Sequence, residues 1–185
     1  LEFLIVIDET GRFINIEDTR ELIGKKAVGK TFILPRSEVR TGTRSFEKPY
    51  LLWDHIGFVL GLSDEKNEKK QQLAKMQHQA WLKKLKSLPE ELREDKGVNA
   101  IMRFYESGEV SKAVNSPIIN ECLRATPCNM SFRLPGDVPV PCRPKVKEYV
   151  SMSQSQQVPD DGLGRKAEPA KTGVCLATGK KGVIA

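Results

Sequence analysis

The stretch from Ser63 to Leu88 places its apolar residues at helical spacing. Ser63 is a preferred helix cap, and acidic residues follow it, as the positive end of a helix favours. Pro89 ends the pattern, because proline removes a backbone donor. The face expected to turn inward consists of Leu73, Met76, Gln77, Ala80, Trp81, Lys84 and Leu85. The sequence therefore predicts one long helix over 63–88.

Shorter elements surround this helix. Leu1 to Asp8 is apolar and Phe13 to Ile16 alternates, with a turn between them that contains Gly11, which indicates a β-hairpin. Asp95 to Glu106 predicts a second, shorter helix, and Asn129 to Leu134 alternates like a strand. The predicted fold class is therefore α+β. An N-terminal hairpin or small sheet packs with a long helix and a shorter one, and irregular β segments follow.

Three segments carry weaker signals. Glu17 to Leu22 suggests one short helical turn, and Thr31 to Leu34 suggests a short strand. Tyr50 to Leu62 fits helical spacing, although its β-branched and aromatic residues favour a strand, and we expect a helix there.

The chain is expected to form an α+β domain over residues 1–150. Residues 151–171 are rich in Ser, Gln, Pro, Gly and Asp, which predicts a flexible linker or mobile loop, and 172–185 would begin a further β segment. The chain lacks an initiator methionine and ends abruptly, so we expect it to be part of a longer protein.

Charge gives the first indication of a partner. The net charge of +6 and the isoelectric point near 9.1 favour an anionic ligand, of which nucleic acid is the commonest, over the alternative of an ordinary basic protein. A polar, turn-rich loop from Pro35 to Lys48 joins an apolar segment that could hold it in place. Arginine forks onto phosphate, and glycine with hydroxyl residues lets a backbone approach closely. An exposed loop with solvated charges is the alternative.

The candidate nucleic-acid-binding residues lie in three places. The basic loop supplies Arg36, Arg40, Thr41, Gly42, Thr43, Arg44, Ser45 and Lys48. A second loop, flanked by glycines, supplies Lys25, Lys26 and Lys30. Tyr50, with Trp53 nearby, could stack on a base, although Trp53 lies among apolar residues and is expected chiefly in the core.

No pattern indicates catalysis, a metal or another cofactor. His55 and His78 stand outside any recognisable catalytic motif, and the four cysteines lack the paired spacing of a zinc site. Lys180 is followed by lysine, so the segment from Gly173 fails the phosphate-loop pattern. No apolar run approaches membrane length. We expect a non-enzymatic protein with thiols kept reduced in the cytoplasm.

The order of several segments resembles one known family, the large subunit of the type I-C CRISPR interference complex, Cascade. The segments that resemble it run from the first strand to the last residues: FLIVID from Phe3, IEDTR from Ile16, GKK from Gly24, ILP from Ile33, KPYLLWD from Lys48, FVLGL from Phe58, FRLPG from Phe132, RP from Arg143 and GVCLATG from Gly173. The family typically has Asn where Tyr50 stands, and its opening helix and its later regions are not present. The chain would correspond to an N-terminal portion.

The resemblance implies a role in antiviral defence. The large subunit of such a complex helps to recognise the protospacer-adjacent motif in target double-stranded DNA and to recruit a helicase-nuclease, without nuclease activity of its own. Its partners would be target DNA, crRNA, the backbone and small subunits and the helicase-nuclease, with no membrane. Base pairing reads the sequence, and protein reads a short duplex motif and the backbone. The alternative is a scaffold domain whose basic surface contacts neighbouring subunits or crRNA. A further alternative is an unrelated small basic enzyme.

Overall fold

The computed structural model describes residues 1–35, 39–63, 68–156, 172–174 and 181–183. The chain folds as two compact units, one from Leu1 to Val150 and another from Ser151 to Ala185. The described part of the second unit includes the end of a helix and a short antiparallel strand pair. Most of the predicted linker, from residue 157 to 171, lies outside the described residues.

The chain begins with the predicted hairpin, which is confirmed. Strand β1 (Phe3–Ile7) is wholly buried and pairs antiparallel with β2 (Phe13–Asp18). The Asp8 carboxylate holds the turn by accepting bonds from the backbone amides of Thr10 and Arg12. Gly11 lies in this turn at φ +84°, in the left-handed region that favours glycine.

A second hairpin follows directly, formed by β3 (Arg20–Ile23) and β4 (Lys26–Gly29). The helical turn predicted over Glu17 to Leu22 is therefore wrong. The Asp18 carboxylate instead accepts bonds from the backbone amide and the guanidinium of Arg20. Gly24, at φ +64°, reverses the chain. The strand predicted over Thr31 to Leu34 is also wrong, because these residues pair with no strand.

Tyr50 to Leu62 is neither one helix nor one strand, so the expected helix is wrong for most of it. It contains strand β5 (Trp53–His55) and the single helical turn α1 (Ile56–Val59). The His55 side chain caps α1 by accepting a bond from the amide of Gly57 at 3.2 Å. The apolar residues therefore serve two elements, which explains why the segment combined helical spacing with residue types typical of a strand.

The remaining elements are mainly helical. They are α2 (Glu68–Lys86), α3 (Glu90–Arg93), α4 (Lys96–Glu106), α5 (Val110–Val114), α6 (Ile119–Arg124), β6 (Asn129–Arg133), α7 (Pro144–Gln156), β7 (Thr172–Val174) and β8 (Lys181–Val183). The long helix, the second helix and the strand from Asn129 are thus confirmed, and so is the α+β class. The start predicted at Ser63 runs through residues 64–67, which lie outside the described residues.

The central sheet has the strand order β2-β1-β6-β5. Strand β6 runs parallel to β1, with Phe3 opposite Met130, and antiparallel to β5, with Trp53 opposite Ser131. A parallel pair requires a long crossover. Helices α2 to α6 lie in that crossover, so the middle of the chain connects two neighbouring strands that are far apart in sequence.

The core joins this sheet to helices α2 and α4. Phe104 of α4 packs against Phe132 of β6 with ring centroids 5.3 Å apart. Trp81 of α2 is buried as predicted, and its indole nitrogen donates to the Tyr105 hydroxyl at 3.0 Å, which donates to the carbonyl of Val59 at 2.8 Å. Leu73, expected on the inner face of α2, is instead 37% exposed.

Candidate nucleic-acid interface

The buried carboxylate of Asp54 organises the basic loop. This residue is fully inaccessible to solvent, in strand β5. It accepts hydrogen bonds from the backbone amides of Tyr50 at 2.8 Å and His55 at 2.7 Å. Both terminal nitrogens of Arg40 also donate to it, one of them at 2.9 Å, which makes a forked ion pair. A buried charge requires such partners, because desolvation without them is very costly.

Arg40 is held by more than its charge. Its Nε donates to the carbonyl of Lys48 at 2.7 Å, which links Arg40 to the end of the loop. Its guanidinium carbon lies 3.5 Å from the ring centre of Tyr50 and 4.3 Å from that of Phe58. With 17% of its side chain exposed, Arg40 is a fixed part of the fold. Arg40 is therefore poorly placed to contact phosphate.

Tyr50 lies inside a stack of planar groups. One face of its ring is covered by Arg40, and the indole of Trp53 lies at a centroid distance of 4.7 Å and a tilt of 34°. Both neighbours cannot occupy the same face at these distances, so they cover opposite faces. Tyr50 is half-buried, and a base cannot stack on it without displacing a neighbour. Its hydroxyl is the group left for a contact with a ligand.

Trp53 is half-buried, although the sequence placed it chiefly in the core. Its indole nitrogen donates to the carbonyl of Pro35 at 3.4 Å, which ties the start of the basic loop to β5. Leu52 precedes it at φ +61°, an unusual conformation for a side chain of this size. The buried hydroxyl of Ser131 donates to the Leu52 carbonyl at 2.8 Å and supports this conformation.

The far end of the loop rests on helix α2. Ser45–Glu47 forms a short 3-10 turn in contact with α2, and Lys84 of α2 donates to the carbonyl of Pro49 at 2.6 Å. Gly42, at φ +81°, has open space where a side chain would stand. The loop is therefore anchored to β5 and to α2, while its middle faces solvent.

The described site residues lie on the basic loop and on a separate hairpin. Thr41, Gly42, Thr43, Arg44 and Lys48 are exposed on the loop, Ser45 and Tyr50 are half-buried, and Arg40 is held inward. Lys25, Lys26 and Lys30 are exposed on or beside the separate hairpin formed by β3 and β4. Arg36 lies outside the described residues.

The positive charge of the loop is smaller than its composition suggests. Arg40 is neutralised by Asp54, and Arg44 forms an exposed ion pair with Glu47 at 2.7 Å. Exposed ion pairs are weak, so Arg44 remains available to a competing phosphate. Sequence reasoning missed Asp54, although one signal could have found it. It is an acid within an apolar run, and a buried acid requires a cation nearby.

Within the described residues, no cluster of histidine, cysteine and acidic side chains could hold a metal ion. None of the helices in this part of the chain has the length and apolar character that a membrane crossing requires.

The fold and this surface define a class: an α+β protein that carries a basic loop anchored to strand β5 and to helix α2. The chain belongs to the CRISPR-associated protein family Cas_Csd1, whose family model matches residues 1–185. This is the family of the type I-C large subunit, so the resemblance found in the sequence is confirmed. Membership implies that the chain works within an assembly of CRISPR-associated proteins. No curated protein matches the chain.

Proposed function

We propose that the chain is a non-enzymatic, nucleic-acid-binding part of a crRNA-guided surveillance complex. It helps to recognise the protospacer-adjacent motif in target double-stranded DNA and to recruit the helicase-nuclease, in the cytoplasm and together with crRNA and the backbone and small subunits. The observation that carries this proposal is the ion pair between Arg40 and Asp54. It fixes the base of a loop whose exposed middle carries Arg44 and two threonines and whose exposed last residue is Lys48.

Within this proposal the residues of the loop have different roles. Arg40 is a positioning residue, because its donors and its flat faces are already used by protein groups. Arg44 and Lys48 contact phosphates, and Gly42 lets the backbone of the loop approach them. Lys25, Lys26 and Lys30 provide a second contact from the separate hairpin formed by β3 and β4.

The test is Arg44→Gln with Lys48→Gln in the complete protein, assembled into its complex. The control is Lys112→Gln with Lys145→Gln, which removes the same charge at two exposed ion pairs away from the loop. Loss of two phosphate contacts should make the slope of log affinity for target duplex against log salt shallower by about 1.8. An unchanged slope, or an equal change in the control, would contradict the assignment of the loop.

A second candidate function is protein contact, and the hairpin formed by β3 and β4 favours it. Leu22 is 81% exposed and Ile23 65% exposed at its tip, beside Lys25 and Lys26. Exposed apolar side chains together on a projecting hairpin are typical of an interaction surface. Photo-crosslinkers at Lys25 and at Thr43 would separate the two functions. Crosslinks to subunits or crRNA alone favour a scaffold, and crosslinks to target DNA favour the first proposal.

A further inference from the structure

The solvent face of helix α2 carries a single row of long polar side chains. Gln72, Lys75, Gln79, Lys83 and Lys86 are all exposed. At 100° per residue, these five positions fall within a sector of about 80°, so they form one straight row, the α2 ridge. The buried residues Ala74, Trp81 and Leu85 lie on the other side of the helix. The ridge is therefore a surface that the fold itself leaves open.

This ridge has one sign of charge. After Glu68, at the first position of α2, no acidic residue occurs before Glu90. An ordinary solvent-facing helix mixes acids and bases, which stabilises it through pairs three or four residues apart. Lysines in the last turn also favour a helix through its dipole, which accounts for Lys83 and Lys86. The helix dipole does not account for Lys75, which lies two turns before Lys83, or for the absence of acidic residues from the helix after Glu68.

We propose that the α2 ridge binds the phosphate backbone of double-stranded DNA. Lys75 and Lys86 are about 16 Å apart along the helix axis, since each residue rises about 1.5 Å. A duplex carries about ten phosphates over that length. Lysine binds phosphate as a point charge, and glutamine amides also donate to phosphate oxygens. Charge and length therefore both match a duplex backbone.

The composition of the ridge favours a duplex over a single strand. Proteins that bind single strands combine a basic groove with aromatic side chains on which bases stack. The ridge is convex and contains only lysine and glutamine. It has no arginine, the side chain that forks most effectively onto phosphate or onto a guanine edge, so its lysines act mainly as point charges towards the backbone. It would hold the duplex by its backbone while other groups read it.

This inference rests on the proposed nucleic-acid function but uses none of the residues of the basic loop. The two surfaces are connected through α2, because Lys84 anchors the loop at Pro49 while the ridge lies on another side of the same helix. Variants of the ridge therefore leave the loop contacts intact, and the two proposals can fail separately.

The test is the triple substitution Lys75→Gln, Lys83→Gln and Lys86→Gln in the complete protein within its complex. Glutamine keeps the helix propensity of these exposed positions. The charge-matched control is Lys96→Gln, Lys112→Gln and Lys145→Gln, three lysines in exposed ion pairs elsewhere. Binding of a labelled duplex of about 30 base pairs, long enough to span the ridge, and of a single strand of equal length is measured from about 50 to 300 mM salt. A triple Lys→Arg variant at the ridge serves as the rescue.

The expected result is a slope of log affinity against log salt that is shallower by about 2.7 for the duplex, with binding weaker by about a hundredfold or more at about 50 mM salt and approaching that of the parent as salt rises. The arginine variant should retain the original slope, and the control should change little. Three outcomes would overturn the proposal: an unchanged slope in the triple glutamine variant, an equal loss in the control, or a loss confined to the single strand. If the loop variant shows its expected shallower slope while the slope of the ridge variant is unchanged, only the ridge proposal is refuted.

Discussion

The guanidinium of Arg40 and the carboxylate of Asp54 form a forked ion pair that joins a surface loop to a central strand. Asp54 is completely buried, and Arg40 covers it. The pair holds the loop in one place with respect to Tyr50, whose amide binds the same carboxylate. The conformation of the loop is therefore coupled to an interaction in the protein interior.

Breaking this pair should destabilise the fold more than it weakens phosphate binding. Arg40→Gln leaves a buried carboxylate without its cation, which typically costs about 3–5 kcal/mol of unfolding free energy. Asp54→Asn should also destabilise, and the double variant should lose less than the sum of the single losses. Urea denaturation of the four proteins measures this coupling. Additive losses would show that the two side chains do not act together.

Gly11→Ala should be strongly destabilising. A Cβ atom there would lie 2.6 Å from the backbone nitrogen of Phe104 and 2.8 Å from the carbonyl oxygen of Ala100, and the residue has positive φ. Gly108→Ala is the matched control, because its φ is +76° but nothing lies within 4 Å of the added carbon. The control should lose about 1 kcal/mol, and Gly11→Ala clearly more. Equal losses in thermal unfolding would contradict the close packing of this turn against α4.

His78 should make the fold less stable in mild acid. Burial lowers the pKa of its imidazole below the ordinary value of 6.5, although the hydrogen bond with the Phe58 carbonyl at 2.8 Å opposes this shift. The unfolded chain therefore binds a proton first as the pH falls. The contribution of His78 to stability is complete above about pH 6.5 and is lost as the pH falls from there towards the lowered pKa.

His78→Asn tests this prediction, because its amide can still donate to Phe58 but does not titrate. Unfolding free energies of the parent and the variant are compared between about pH 7.5 and 5, a range that brackets the ordinary histidine pKa. The difference between them should change in favour of the variant as the pH falls. A constant difference across this range would exclude His78 as a source of acid sensitivity.

Tyr50→Phe should leave the fold intact and weaken a contact made through the hydroxyl. The ring would still lie between Arg40 and Trp53, so thermal stability should stay within about 0.5 kcal/mol of the parent. If the hydroxyl binds DNA, affinity for the cognate duplex should fall about three- to tenfold, as expected for one lost hydrogen bond. Tyr50→Ala is the contrasting variant, and it should lose stability because the stack is broken. Unchanged affinity in Tyr50→Phe would exclude a hydroxyl contact.

The sequence predicted secondary structure best where a segment forms a single element with a single hydrophobic period. Helices α2 and α4 and the hairpin of β1 and β2 were predictable because their buried faces repeat regularly and a turn or proline marks an end. Tyr50 to Leu62 was not, since a strand and a helical turn share one apolar run. The hairpin of β3 and β4 was missed because both of its faces are exposed, so it lacks the alternation that marks a half-buried strand.

The candidate site was predictable as a location but not as a set of roles. Seven charged and polar residues from Arg40 to Lys48 look alike in the sequence, and only the partner Asp54 shows that Arg40 is turned inward. That partner lies fourteen residues away on a strand whose position depends on β6. Long-range pairing of this kind leaves no local pattern, so the division between anchor and exposed contacts required the structure.

The parallel pairing of β1 with β6 also sets an order of events during synthesis. Phe3 has its partner at Met130, so the sheet cannot close until about 127 further residues have been made. At a synthesis rate of about 5–20 residues per second, the edge of β1 that pairs with β6 stays unpaired for roughly 6–25 s. Strand β5 waits too, because β6 is its neighbour in the sheet. The loop fixed by Asp54 therefore acquires its support only when the ribosome has passed Arg133.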